Sequence, residues 1–225
     1  LALKPEGQRA FKLSQPYGTY VMENVLFKIS FPAEFHAQTA CEAAVTLHPQ
    51  VRDRLHEIEK IVITTHESAI RIISKQGPLA NAADRDHCLQ YMTAVPLAFG
   101  NLVAEQYEDD FHAAHPIIDE LREKMVIVED PRYTREYLEA DKRSIANAIQ
   151  VFFNDGTSTQ QVVVQYPIGH RRRRAEGIAL LEEKFKANLA TRFARQRCEE
   201  IFALCKDQAA LEATPVNRFV DLLVI

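Results

Sequence analysis

Ala146-Asn-Ala-Ile-Gln-Val-Phe-Phe-Asn-Asp-Gly-Thr-Ser-Thr-Gln-Gln-Val-Val-Val-Gln-Tyr166 is the stretch that decides the fold class of this chain. Two runs, Ala146–Phe153 and Ser158–Gln165, are rich in β-branched and aromatic residues and flank Asn154-Asp155-Gly156. Asp-Gly supplies the positive-φ position that a tight antiparallel reversal needs, so the segment reads as a hairpin. Upstream, Ile58-Glu-Lys-Ile-Val-Ile-Thr-Thr-His66 reads as a strand, β-branched and alternating at its start. A short strand, Met125–Val128, follows a helix that contains Asp119 to Lys124. Val21, Val25, Leu26, Phe27, Ile29 and Phe31 mark one more strand, over 20–28, and Pro32 ends the extended segment because it lacks a ladder donor.

Helices separate these strands. One runs from about Glu34 to Leu47 with Ala37, Ala40, Cys41, Ala44 and Val45 on its apolar side. Another is capped by Asp84 or Asp86 and runs through Leu89, Val95, Leu97 and Phe99 to Gly100, a natural stop. After Pro167 and Gly169 the character changes. Residues 175–213 hold no proline and no glycine beyond Gly177, with Ile178, Leu181, Phe185 and Leu189 at helical spacing. The expected organisation is a connector over 1–19, an α+β domain with a small mixed sheet over 20–168, and a helical tail over 169–225.

Composition narrows the function classes. The chain has 225 residues, a net charge of -4, 47% hydrophobic and 26% charged residues, the values of a globular protein able to bury a core. An acidic balance argues against general nucleic-acid binding. No apolar run approaches a membrane span and no signal-peptide pattern opens the sequence. Its first residues, Leu1-Ala-Leu-Lys-Pro5, read like the interior of a longer protein. Cys41, Cys88, Cys198 and Cys205 form no Cys-x-x-Cys pair, so neither a zinc site nor an iron–sulfur cluster is expected.

Three places hold candidate chemistry. Lys28, Ser30, Glu34 and His36 gather at the first strand-to-helix junction, a common ligand position, although a snorkelling lysine and a solvated histidine explain the same residues. Asp84-Arg85-Asp86-His87 stands at a helix start, where free N–H groups favour anions, and the spacing puts His87 and Tyr91 on one face. An ordinary capped first turn accounts for it equally. His170-Arg171-Arg-Arg-Arg174 opens a basic stretch: 171–197 carry nine Lys/Arg against three Glu, a local +6. It reads as a solvated helix face, a nucleic-acid patch or an anion site for a polycarboxylate, whose oxygens suit the arginine fork.

Four long stretches in this order, YVMENVLFKISFPAEFH (20–36), ADRDHCLQYM (83–92), YPIGHRRRRAEG (166–177) and PVNRFVDLLVI (215–225), resemble the MmgE/PrpD family, and most closely its branch that dehydrates 2-methylcitrate. The likeness runs from about Pro16 to Ile225 and identifies the chain as the C-terminal half of a longer protein. It implies that 20–168 are a lid-type domain closing over the active site. It also implies that 169–225 return to an all-helical domain formed with the N-terminal half. The implied reaction is loss of water from 2-methylcitrate to a methylaconitate in propionate catabolism (the methylcitrate cycle), with no cofactor, metal or iron–sulfur cluster.

The implied partners are a tricarboxylate substrate, the N-terminal half and a second copy in a homodimer, with neither nucleic acid nor membrane. The implied compartment is the cytoplasm, or the mitochondrial matrix in a eukaryote. Lys28 and Tyr91 match active-site positions of family enzymes: Lys28 to hold a carboxylate or move a proton, Tyr91 to orient or protonate the leaving oxygen. His36 is the third catalytic candidate, and Arg85, His87, His170 and Arg171 are the substrate-binding candidates from charge and position. Decarboxylase relatives carry a histidine where this chain has Glu34, which favours dehydration over cis-aconitate decarboxylation. The alternatives are a family enzyme acting on a related tricarboxylate and a non-catalytic anion-binding or interaction module. A fragment without its N-terminal half is expected to be inactive.

Overall fold

The computed structural model describes residues 27–225. The expected connector over 1–19 and positions 20–26 of the expected first strand lie outside the described residues. Phe27 and Lys28, the end of that strand, are irregular backbone. The Phe27 N–H meets the Gly169 carbonyl at 3.4 Å instead of a strand partner. Gly169 makes this approach possible: its φ is +97°, and a Cβ there would collide with the Phe27 carbonyl oxygen.

After the bend at Pro32, Phe35–Ala37 form one 3-10 turn that leads into α1 (Gln38–Val51). Helix α1 runs past the expected end at Leu47. It buries Leu47 and Val51 together with Ala40, Cys41, Ala43 and Ala44, whose small side chains let another helix pack closely. The chain continues through β1 (Ile58–Thr65), α2 (Glu67–Ile73), the single turn α3 (Ala82–Arg85), α4 (Leu89–Phe99), α5 (Asp109–Ala114) and α6 (Ile117–Glu123). Strand β2 (Met125–Glu129), α7 (Pro131–Leu138) and the hairpin β3 (Asn147–Phe153) and β4 (Val162–Val164) complete the α+β body.

The sheet order is β2-β1-β3-β4. Strand β1 pairs parallel with β2, Ile61 opposite Met125, and antiparallel with β3, Ile63 opposite Ile149. The sheet is therefore mixed, as the sequence led us to expect. The parallel pair is reached by the long helical crossover α2–α6, as parallel neighbours require. Ile58, Ile61 and Ile63 of β1 join Ile149 and Val151 of β3 and the apolar faces of α1 and α4 in one core. Gly156 adopts φ +81° in the hairpin turn, in line with the Asp-Gly reading.

The α4 region corrects one expectation. Neither Asp84 nor Asp86 caps a helix through to Gly100. Asn81 caps α3 by accepting the Asp84 N–H at 2.9 Å, while the Asp84 carboxylate accepts the Ala80 N–H at 3.1 Å and lies 3.3 Å from Lys75 Nζ. The helix then breaks at the Asp86–His87 turn, and α4 starts afresh after Cys88. Gly100 ends α4 in the left-handed conformation as foreseen, and a Cβ there would stand 2.8 Å from His48 Cδ2. Helices α8 (Arg174–Ala190), α9 (Arg195–Lys206), α10 (Gln208–Ala213) and α11 (Val216–Asp221) form the tail. No helix among the described residues is long and apolar enough to cross a membrane.

Candidate active site

The first junction folds into a buried polar turn. The Gln38 amide donates to the carbonyls of Phe31 (3.0 Å) and Ala33 (2.7 Å), closing the bend at Pro32. Asn147 on β3 donates to the His36 carbonyl (2.9 Å) and to Thr39 Oγ1 (2.7 Å), tying the turn to the sheet. Glu34 then caps it. Its carboxylate accepts the His36 backbone N–H at 2.7 Å and lies 2.9 and 3.0 Å from His36 Nδ1. On the far side of the buried imidazole, Nε2 is 3.3 Å from the Tyr137 hydroxyl of α7.

His66 closes the cluster. It follows the last residue of β1, is wholly buried, and stacks on the Tyr137 ring with centroids 4.6 Å apart and planes 14° from parallel. The His36 ring lies 5.2 Å away. Both His66 ring nitrogens are buried with no hydrogen-bond partner. Burial, assisted by repulsion from His36, pushes the His66 imidazole down to about 4, so it is neutral near pH 7. Burial alone would raise the Glu34 carboxyl, but its bonds and attraction to His36 outweigh that and leave it below its ordinary value. His87 adds to the lowering of Glu34, although it is exposed and paired with Asp86 at 2.6 Å. A carboxylate on Nδ1 selects the Nδ1–H form of neutral His36 and leaves Nε2 to accept from Tyr137. When His36 is protonated, Nε2–H donates to the phenol oxygen instead, and the phenol proton is released for another acceptor. A carboxylate–imidazole–phenol array of this kind can hold and pass a proton.

The second cluster differs from its expected form. Because the chain turns between His87 and α4, His87 and Tyr91 do not share a helix face: His87 is exposed and Tyr91 wholly buried. The Tyr91 hydroxyl donates to the Gln106 carbonyl at 2.6 Å, and burial raises this phenol to about 12. Arg85 is also buried; its Nε donates to the Tyr107 carbonyl at 2.7 Å and its terminal nitrogen to Asp109. Arg85 is thus a clamp on the 104–109 loop rather than an open carboxylate corner. His112, 3.1 Å from Asp119, extends the network to Arg122.

The basic run is tied to the fold. His170 is buried; its Nδ1 accepts the Arg172 N–H at 3.2 Å, and burial beside Arg171, Arg172 and Arg174 pushes it down to about 4. Arg171 donates to the carbonyls of Ala140 (3.1 Å) and Asp141 (2.6 Å). Arg173 meets Glu42 at 2.9 Å and donates to the Tyr166 carbonyl at 2.7 Å. Lys28 is exposed, and its carbonyl accepts from Lys184 of α8 at 2.7 Å. Among the described residues no group of three His, Cys, Asp or Glu side chains is placed to hold a metal ion. His66 and Tyr137 escaped the reading of the sequence. His66 ended a recognised strand, a position that deserved testing for chemistry, whereas Tyr137, 101 residues from His36, gave no local signal.

Comparison with known proteins adds three findings. Residues 31–208 match the MmgE/PrpD C-terminal domain. The chain is 56% identical over 218 residues, 96% of its length, to the 2-methylcitrate dehydratase of Salmonella typhimurium, and 55% over 219 residues to that of Escherichia coli K12. It is 51% identical over 221 residues to a mitochondrial 2-methylcitrate dehydratase of Yarrowia lipolytica. The chain spans 42–45% of the length of these relatives.

Proposed function

Because the chain belongs to the MmgE/PrpD family, we propose that it is the C-terminal part of an enzyme that removes water from 2-methylcitrate to give a methylaconitate. The observation that carries this reading is the 55–56% identity over 96% of the chain to relatives named for that activity. In this reading residues 27–168 are the lid-type part of the site, and the tail helices pack with an N-terminal helical half. The substrate is a tricarboxylate, the assembly a homodimer, and the compartment the bacterial cytoplasm or the mitochondrial matrix.

The reaction sets the demands on the residues. A base takes a proton from a carbon beside a carboxylate, the C–H electron pair becomes the double bond, and the C–O bond breaks with its pair going to oxygen. Cations must hold the carboxylates while negative charge builds on one of them. We assign Lys28, an exposed cation six residues before Glu34, to a substrate carboxylate, and His36 to proton transfer, with Glu34 fixing its ring. His87, exposed beside this turn, is the remaining candidate for carboxylate binding. Tyr91 and Arg85, whose polar atoms are engaged internally, act in this reading as walls that hold the site, with buried His170 and exposed Arg171, which donates to the Ala140 and Asp141 carbonyls, at its edge.

The test is dehydration of 2-methylcitrate by the full-length protein, followed by the ultraviolet absorbance of the conjugated product, alongside Lys28→Ala. Turnover that is lost in the variant supports the reading. Turnover of citrate alone reassigns the substrate, and turnover of neither acid overturns dehydration in favour of an anion-binding module.

A further inference from the structure

A hydroxide ion is a poor leaving group, so elimination of water needs a proton at the departing oxygen. Tyr91 is ill placed to give it: its ring is wholly buried and its hydroxyl proton is held by the Gln106 carbonyl at 2.6 Å. Tyr137 has the opposite setting. It is half-buried on α7, and its hydroxyl oxygen lies 3.3 Å from His36 Nε2. The opposite nitrogen of the same ring is gripped by both oxygens of Glu34. The Tyr137 ring rests on His66, whose buried face-to-face contact holds the phenol in place.

We propose that Tyr137 is the proton donor to the departing hydroxyl and that the Glu34–His36 pair restores its proton; this rests on the dehydration reading above. The step balances as follows. As the C–O bond breaks, its electron pair stays on oxygen and takes the Tyr137 O–H proton, so water leaves. The phenolate takes the Nε2 proton of protonated His36, whose positive charge Glu34 had balanced. Neutral His36 then regains a proton from solvent. The groups facing this chain are Glu34 and His36 from the first junction, His66 from the end of β1 and, through its field on Glu34, His87. A His66 imidazole that stays neutral supplies a floor without repelling the imidazolium above it, in keeping with its value of about 4.

The experiment uses the full-length protein with 2-methylcitrate. Tyr137→Phe keeps the ring and its stack but removes the proton. It is expected to lower kcat by about 10²-fold or more, with KM changed far less, because general-acid assistance is worth that much. The solvent deuterium isotope effect on kcat and the alkaline limb of the pH–rate profile are both expected to disappear, changes that a merely structural role would not produce. Glu34→Gln, at the other end of the chain, is expected to lower kcat by about tenfold or more and to move the same limb; it decides the matter if the phenylalanine variant fails to fold. Wild-type-like kcat and pH profile in either folded variant, alongside an active unmodified protein, would overturn the proposal and leave the dehydration reading standing. An unmodified protein that dehydrates neither 2-methylcitrate nor citrate would overturn both.

Discussion

Two polar clusters, one around Arg85 and one around His36, differ in how their candidate side chains are engaged. Around Arg85 the candidate side chains are engaged: Arg85 is held by Tyr107 and Asp109, Tyr91 by Gln106, and His112 by Asp119, while the Tyr107 hydroxyl and Arg122 Nε are buried without a partner. Around His36 the engagement is looser. The His36–Tyr137 contact is long at 3.3 Å, Tyr137 is partly exposed, and His66 has two buried nitrogens with no partner. Buried unpaired polar atoms are each worth about 1–3 kcal/mol of lost stability. An apolar ring at position 66 would avoid that loss while keeping the stack, so the imidazole is a local departure from the best-packed solution. Such departures are expected where function competes with stability. The contrast teaches that buried unpaired atoms occur in both clusters, and that what sets the His36 cluster apart is a long, partly exposed hydroxyl contact at Tyr137.

The contrast can be broken or sharpened experimentally. The largest effect is expected for His36→Ala in the full-length enzyme, a fall in kcat of about 10³-fold with 2-methylcitrate; a fall below tenfold would move the chemistry out of this cluster. On the Arg85 side, Arg85→Ala leaves the Tyr107 carbonyl unpaired and opens a cavity, and is expected to cost about 3 kcal/mol in urea unfolding. A third test follows from protonation. The folded His66 value of about 4 lies below its ordinary 6.5, so below pH 6.5 the unfolded chain binds a proton that the folded chain does not. Its stabilising contribution is therefore present above pH 6.5 and is lost as the pH falls towards 4. Between pH 7 and pH 5 this amounts to about 2 kcal/mol, which His66→Phe is expected to remove from the pH dependence of the unfolding free energy while raising stability at pH 5. His170, also lowered to about 4, leaves a residual slope in that variant. The smallest effect is expected for Tyr91→Phe, about 1 kcal/mol of stability from the Gln106 bond; an unchanged melting temperature would remove Tyr91 from the Arg85 network.

The elements set by short-range rules were legible. Alternation and β-branching marked β1 and β2, Asp155-Gly156 marked the hairpin, and Gly100 marked the end of α4. The break at His87 was not legible, because Asp84 and Asp86 were equally good caps on paper and only the Asn81 bond to the Asp84 N–H selects among them. Lys28 and His36 could be singled out as candidates by residue type and by likeness to a family, since both lie in one continuous segment. Glu34 was legible as a member of the junction cluster and as a departure from decarboxylase relatives, while its hold on His36 came from the geometry of a three-residue turn.

By itself, then, the sequence determined the α+β class, the hairpin and membership of a family, because these follow from periodicities and motifs confined to neighbouring residues, whereas the parallel pairing of β1 with β2 that makes the sheet mixed joins distant segments. The tertiary structure alone decided that Tyr91 and Arg85 are fully engaged and that His36, His66 and Tyr137 converge. Those outcomes depend on chain segments as much as 101 residues apart meeting at the end of one strand, where burial removes water and leaves each polar group only the partners the fold supplies.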